Sequence, residues 1–193
     1  MNLPNKLTML RVILVPLFLF FYLATFMPNW AKLIALGLFV IAEFTDFLDG
    51  YIARKYNMVT DFGKFLDPIA DKILSVAGVL VLVVDQILPA PYGVIFAFVM
   101  IFRDFIISGL RLLGVNKGVV IMADKLGKIK TIFWFVSLII GLVLSYLITL
   151  PIHATIVNIV SLIFYIMMGI TSILIVLSCV NYLFNNRKLI ATK

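Results

Sequence analysis

Four aspartates in the first half of the chain, Asp46, Asp49, Asp67 and Asp71, have the residue type and spacing to bind divalent cations. In a helix, a spacing of three places the first pair on one face, and a spacing of four does the same for the second pair. Four carboxylates brought together repel one another, so they require protonation, neighbouring bases or bound cations. Oxygen-only ligands favour magnesium, manganese or calcium, and two such ions would offset the four charges and could clamp a pyrophosphate.

Small residues and an arginine accompany the acids. Gly50 and Ala53 lie on the same predicted helical face as the first acid pair, and Gly63 precedes the second pair. Such small side chains allow a bulky nucleotide to approach the backbone closely, and Arg54 offers a forked donor for phosphate. Any one of these charged residues could be a helix cap, an interfacial anchor or half of an ion pair. Their joint arrangement favours a metal and phosphate site.

Composition determines the elements that must position these residues. The 193 residues are 64% hydrophobic, with a mean hydropathy of +1.18, which excludes a water-soluble fold because soluble domains are roughly 45 to 50% apolar. We predict one all-α integral membrane domain over residues 1–193, with a short amphipathic interfacial helix formed by the polar opening 2–8. Apolar runs of about 20 residues predict membrane-spanning helices. The six predicted spans cover roughly residues 10–28, 32–53, 65–85, 92–113, 128–149 and 152–184.

The distribution of basic residues predicts the orientation. The formal net charge is +7, and of the 16 lysines and arginines only Lys32 falls on the side opposite to both termini. The positive-inside rule then makes the charged side and both termini cytoplasmic, in the cell membrane. Because the bases lie in short segments between apolar runs, anionic lipid and phosphate substrates are expected partners and nucleic acid is not.

The acids and their neighbours read D-x-x-D-G-x-x-A-R, then eight residues, then G-x-x-x-D-x-x-x-D. This string resembles the signature of the CDP-alcohol phosphatidyltransferase family. The resemblance implies CDP-diacylglycerol as donor, two Mg²⁺ or Mn²⁺ ions held by the four aspartates, Asp71 as the base that deprotonates the acceptor hydroxyl, and a homodimer. The CDP-binding residues implied in this way are Asp46, Asp49, Gly50, Ala53, Arg54, Gly63 and Asp67.

A second polar cluster bears on the acceptor. Arg103 and Arg111 lie in the fourth apolar run, and Lys125 and Lys128 lie at the start of the fifth. These four bases predict a site for an acceptor that carries its own phosphate. Because Asp104 points about 100° away from Arg103 on a helix, we expect Arg103 to pair instead with another helix or with a bound phosphate.

Several segments around these bases are similar to family members that use glycerol 3-phosphate, which implies phosphatidylglycerol phosphate and CMP as products. Alternative acceptors are inositol phosphate and phosphatidylglycerol, and Lys125, Lys128 and Lys130 could instead be topogenic or lipid-surface charges. A divalent-metal transporter is an alternative of another class, but the acids have no matching acidic set at the opposite helix ends. Glu43, one turn before Asp46, could tune the metal site, pair with a base or simply be hydrogen bonded.

Overall fold

The computed structural model describes residues 2–24, 27–56, 58, 60–116, 118 and 125–187. The described part is all-helical, and each predicted apolar run overlaps one of its helices, with boundaries that differ by several residues. The helices are α1 (Leu3–Leu23), α2 (Pro28–Lys55), α3 (Asp61–Val84), α4 (Ala90–Asn116), α5 (Lys125–Ile148) and α6 (Ala154–Asn185).

The outer surface of the bundle is apolar. Large side chains such as Trp30, Tyr92 and Phe98 are between 66 and 71% exposed, an arrangement that suits hydrocarbon rather than water. Within the described residues, α1, α4, α5 and α6 are long and apolar enough to span a membrane. The other two helices, α2 and α3, carry the acids and several bases along part of their length. The chain is therefore a multi-pass membrane protein.

The polar opening segment belongs to α1. Asn2 caps this helix by accepting a hydrogen bond from the Asn5 backbone N–H at 3.3 Å, and the helix then continues unbroken through Leu3–Leu23. The prediction of a separate interfacial helix is therefore wrong. The physical reason is that Asn5, Thr8 and Arg11 are buried inside the bundle, where they find polar partners on α2 and α3 rather than headgroups.

A single apolar cluster draws on all six helices. The indole of Trp134 stacks on Phe96 with ring centroids 5.3 Å apart and donates a hydrogen bond to Ser75 Oγ at 3.2 Å. At Gly141 an added Cβ would lie 2.8 Å from the Phe164 ring, so α5 and α6 approach more closely than a larger residue would allow. One buried member of the cluster from each helix, in chain order, is Phe18, Phe39, Leu74, Phe96, Leu138 and Phe164.

A polar cluster connects four helices at the end of the bundle remote from the four motif aspartates. Lys32, the one base predicted on this side, forms an ion pair with Asp85, which directly follows α3. Tyr22 donates to Asp85 at 2.8 Å, and Lys32 donates to Ser145 at 2.9 Å. These contacts join α1, α2, α3 and α5, so charges that would be costly in an apolar bundle are paired.

Candidate active site

Arg11 of α1 holds the two aspartates of α2. Its Nη1 lies 2.5 Å from Asp46 Oδ1, and its Nη2 pairs with Asp49 Oδ2. The Arg11 side chain is fully buried, whereas 38% of the Asp46 side chain is exposed. The single positive charge of Arg11 thus offsets one of the pair's two negative charges and weakens the repulsion between Asp46 and Asp49. The sequence predicted that protonation, neighbouring bases or bound cations would reduce the repulsion among the carboxylates, and Arg11 is such a base.

Thr8, one turn before Arg11, links the acids of α2 to those of α3. Its hydroxyl donates to Asp67 Oδ1 at 2.5 Å and lies 3.3 Å from Asp49 Oδ2. Since one hydroxyl carries a single proton, the two carboxylates share a common neighbour rather than two full hydrogen bonds. The structure therefore brings the C-terminal part of α2 and the N-terminal part of α3 together, as the motif spacing predicts.

Asp71 lies one turn after Asp67 on α3 and is partly exposed. It is repelled by Asp46 and by Asp104, a residue of α4. It is attracted by Lys130 of α5 and by Arg11. The predicted base is therefore within electrostatic reach both of other acids and of the bases Lys130 and Arg11.

Glu43 is a fifth acid of this cluster. It interacts repulsively with Asp71 and Asp46 and attractively with Arg11. Its Oε1 atom is buried and has no hydrogen-bond partner among the described residues. The sequence left three alternatives for Glu43: tuning the metal site, pairing with a base, or a simple hydrogen bond. The environment of Oε1 disfavours the simple hydrogen bond.

The connection between α2 and α3 is held by the start of α1. Thr60 caps α3 by accepting from the Gly63 backbone N–H at 3.1 Å, and its hydroxyl donates to Asn5 Oδ1 at 2.8 Å. A Cβ on Gly63 would lie 3.0 Å from Asn5 Oδ1. Asn2 also donates to the Met58 carbonyl at 2.7 Å. A glycine at position 63 thus allows this close approach, which adds to its predicted role beside a ligand.

The donor set fits a hard divalent cation in its chemistry. The facing groups are carboxylate and hydroxyl oxygens, the ligands that magnesium and manganese prefer. In the described part of the chain no three Asp, Glu, His or Cys side chains converge on one metal position, and the Arg11 guanidinium lies between the acids of α2. Gly50 and Ala53 lie on α2 and are partly exposed. The side chain of Arg54 is outside the described residues.

A polar pocket of about 200 Å³ lies between α4, α5 and α6. It brings together three of the four predicted acceptor residues, Arg103, Arg111 and Lys128; the side chain of Lys125 is outside the described residues. Arg111 Nε donates to the Tyr182 hydroxyl at 3.3 Å. The pocket is lined by Arg103, Ile107, Arg111, Gly127, Lys128, Thr131 and Tyr182.

The partners of Arg103 correct one expectation. Its Nη1 donates to Asp104 Oδ1 at 2.8 Å, and its Nη2 donates to Ser178 of α6 at 3.1 Å. The expected partner on another helix is present, but the argument that Asp104 points away is wrong. A long, flexible arginine side chain can turn its fork toward the adjacent residue even when the two Cβ atoms diverge.

Sequence reasoning did not assign Asn5, Thr8 and Arg11 to the site. Their spacing of three residues places them along one face of α1, and all three are buried. Arg11 lies next to the apolar stretch of that helix, where a charge is costly unless it faces a protein interior. Polar residues recurring at helical spacing beside an apolar run were the signal that could have found them.

Comparison with known proteins gives a consistent answer. A model of the CDP-alcohol phosphatidyltransferase family matches residues 1–184. A protein of Bacillus subtilis (strain 168) named CDP-diacylglycerol--glycerol-3-phosphate 3-phosphatidyltransferase is 46% identical over 142 residues, which cover 67% of this chain and 70% of the relative. Proteins with the same name are 42% identical in Rickettsia typhi, over 67% of this chain and 70% of the relative, and 39% identical in Sodalis glossinidius, over 72% and 75%.

Proposed function

The chain belongs to the CDP-alcohol phosphatidyltransferase family, and from this membership we propose that it is a phosphatidylglycerophosphate synthase. It transfers the phosphatidyl group of CDP-diacylglycerol to glycerol 3-phosphate and releases CMP. The relatives named above carry the name of this reaction. The structural observation that supports it is the pocket of Arg103, Arg111 and Lys128, because an acceptor with its own phosphate needs such bases and serine does not.

The proposed reaction is a displacement at phosphorus. The acceptor hydroxyl oxygen bonds to the lipid-side phosphorus, the bond from that phosphorus to the bridging pyrophosphate oxygen breaks, and CMP leaves. Asp71 takes the hydroxyl proton. Arg103, Arg111 and Lys128 hold the acceptor phosphate, which orients the hydroxyl toward the donor.

We assign the donor side to the family motif. Asp46, Asp49, Asp67 and Asp71 would hold two Mg²⁺ or Mn²⁺ ions, which would supply charge stabilisation for the pyrophosphate. Thr8 donates a hydrogen bond to Asp67, and Arg11 weakens the repulsion between Asp46 and Asp49 when no metal is bound. The remaining CDP contacts fall to the motif residues Gly50, Ala53, Arg54 and Gly63.

An apolar groove of about 330 Å³ between α1, α3 and α4 adjoins this site. Its apolar lining includes Val15, Val76 and Ile101, and it has Lys72 and Asp104 at its polar end. Lys72 directly follows Asp71 in α3, so the groove and the carboxylate cluster involve the same part of this helix. We assign it to an acyl chain of the lipid donor, whose tail needs an apolar path from the site to the bilayer.

The proposed protein is one domain of six spans, with both termini and the active site facing the cytoplasm, and it is a homodimer. In α2 and α3 the acids of the site lie toward one end and have bases or hydroxyls as partners. Their charge therefore does not prevent these two helices from crossing the bilayer.

A release assay tests the proposal. Purified protein in detergent with CDP-diacylglycerol and Mg²⁺ should release CMP with glycerol 3-phosphate, but not with inositol phosphate or phosphatidylglycerol. A chelator should stop the release, and added Mg²⁺ or Mn²⁺ should restore it. Release with another acceptor alone would change the assignment within the family. Metal flux in liposomes without any CMP release would favour a transporter instead.

A further inference from the structure

Tyr182 of α6 lines the acceptor pocket, and the proposed reaction gives it no role. Only 3% of this residue is exposed. It belongs to a small buried apolar cluster with Ile107 and Leu110 of α4. This packing holds the aromatic ring in place, so the hydroxyl at its tip has a defined position in the pocket.

The Tyr182 hydroxyl is bonded to one of the pocket's bases. Its oxygen accepts a hydrogen bond from Arg111 Nε at 3.3 Å. A phenol has one proton besides its lone pairs, so this proton points away from the guanidinium and can be donated to a second group. The bond engages Nε alone, and both Nη groups of Arg111 remain at the end of the fork that suits phosphate. The hydroxyl and the guanidinium can therefore donate to the same anion.

Two other hydroxyls near the pocket use their protons elsewhere. Ser178, one turn before Tyr182, accepts from Arg103 Nη2 at 3.1 Å and donates to the Ile175 carbonyl at 3.1 Å. Thr131 donates to the backbone carbonyl one turn earlier in α5, at 3.0 Å. Among the contacts of the described residues, none takes the Tyr182 proton. Of these three hydroxyls, Tyr182 is therefore the one that can donate to a ligand.

The pocket has an exposed side and a buried side. Its bases Arg111 and Lys128 are exposed, whereas Tyr182 and Ile107 are buried. An anion that enters between the exposed bases therefore has the Tyr182 hydroxyl on its inner side. Hydroxyl groups also hold membrane helices together, but that role requires only the bond to Arg111 and not a position in the wall of the pocket.

We propose that Tyr182 is a ligand of the acceptor phosphate. Its oxygen accepts from Arg111, and its O–H donates to a phosphate oxygen of the bound acceptor. This inference rests on the proposed function and adds a neutral donor, on the buried side of the pocket, to the three bases. It predicts that loss of the hydroxyl weakens acceptor binding and leaves the chemical step and the binding of the lipid donor unchanged.

The experiment compares Tyr182→Phe with the parent protein in the CMP-release assay, with glycerol 3-phosphate and CDP-diacylglycerol varied in turn. Tyr165→Phe is the matched control, because Tyr165 lies on the same helix and its hydroxyl donates to the Ile87 carbonyl at 3.0 Å, outside the pocket. Tyr182→Phe is also made in the Arg111→Met background. The thermal midpoint of each protein in detergent is measured with and without glycerol 3-phosphate.

We expect Tyr182→Phe to raise KM for glycerol 3-phosphate roughly 10- to 100-fold, because a hydrogen bond to a charged group is lost. Both kcat and KM for CDP-diacylglycerol should change less than about threefold, and Tyr165→Phe should match the parent protein. In the Arg111→Met background, Tyr182→Phe should still raise KM at least about threefold, because the hydroxyl contacts the phosphate itself.

An unchanged KM with a lowered thermal midpoint would overturn the proposal in favour of a bond that only joins α4 and α6. A KM effect that disappears in the Arg111→Met background would show that the hydroxyl acts only through Arg111, and a lowered kcat with normal KM would place Tyr182 in the chemical step; both contradict the proposal. If the parent protein released no CMP, the proposed function would fail, and the thermal midpoints would decide the site separately. A larger rise with glycerol 3-phosphate in the parent than in Tyr182→Phe would support the ligand role, and equal rises would overturn it.

Discussion

The acids of the site differ in their polar and charged neighbours. Asp46 and Asp49 share the buried Arg11 guanidinium, Asp67 receives the Thr8 hydroxyl, and Asp71 is attracted by Lys130 as well as Arg11. The motif residues are equivalent in type but not in surroundings. This difference supports a separate role for Asp71.

Asp71→Asn should abolish turnover. An amide is nearly the size of the carboxylate but cannot take the hydroxyl proton, so general-base assistance, which contributes roughly 10²- to 10⁴-fold, is lost. CMP release measures the effect, and membrane extraction shows whether the protein still inserts. Full activity of purified Asp71→Asn would rule out the mechanism.

Arg111→Met should chiefly raise KM for glycerol 3-phosphate. Arg111 lines the acceptor pocket, and loss of a charge-assisted hydrogen bond costs about 1.5 to 3 kcal/mol, which corresponds to roughly 10- to 150-fold in affinity. KM for CDP-diacylglycerol serves as the internal control and should stay unchanged. An unaltered KM for glycerol 3-phosphate would move the phosphate site elsewhere.

Arg11→Met offers a test of metal binding that does not depend on activity. Without the guanidinium, the acids it pairs with would repel each other in a buried site, so the thermal midpoint without metal should fall. Mg²⁺ should then raise the midpoint more in the variant than in the parent protein, because binding to the folded state stabilises it. Equal responses to Mg²⁺ in both proteins would contradict a metal site at these acids.

Polar contacts connect helices α1, α2 and α3 to one another at both ends of the bundle. At the site end α1 holds the α2–α3 connection through Asn5 and Thr60, and at the other end Lys32 and Asp85 pair beside Tyr22. The apolar cluster fills the length between these polar contacts. The helices that carry the motif therefore have little freedom to shift relative to each other.

Lys32→Met should lower stability without altering the chemistry. It leaves Asp85 without its ion-pair partner, and since about a fifth of each side chain is exposed, we expect a loss of about 1 to 3 kcal/mol. Thermal unfolding in detergent measures the loss, and kcat of the folded protein at low temperature should match that of the parent. If fully folded Lys32→Met had a much lower kcat than the parent protein, the cluster around Lys32 would instead take part in the reaction.

Across the membrane, the predicted topology places the two ends of α6 on opposite sides. In a Cys179→Ser background, His153→Cys should react with an impermeant maleimide added to intact cells, and Arg187→Cys should react only after lysis. Both positions are exposed, so reagent access reports sidedness rather than burial. Labelling of position 187 from outside would invert the proposed orientation.

The sequence by itself determined the all-helical membrane class, because apolar runs of that length have no other stable structure in lipid. It also indicated the family, because the eight fixed motif positions resemble the signature of that family, and the match over residues 1–184 confirms this prediction. The grouping of Arg103, Arg111 and Lys128 followed from their positions at the same ends of two spans. These inferences use periodicity along one helix, the number of spans between two positions and the resemblance of a motif to a family signature.

Only the tertiary structure decided which residues meet across helices. The pairing of Arg11 with the α2 acids, the link from Thr8 to Asp67 and the burial of Lys130 beside Asp104 depend on helix rotation and side-chain conformation. Local spacing does not encode these, as the separate interfacial helix and the expected separation of Arg103 from Asp104 demonstrate. The periodicity of a helix's own sequence determines which residues share a face. Which neighbouring helix that face contacts depends on the packing of the whole bundle.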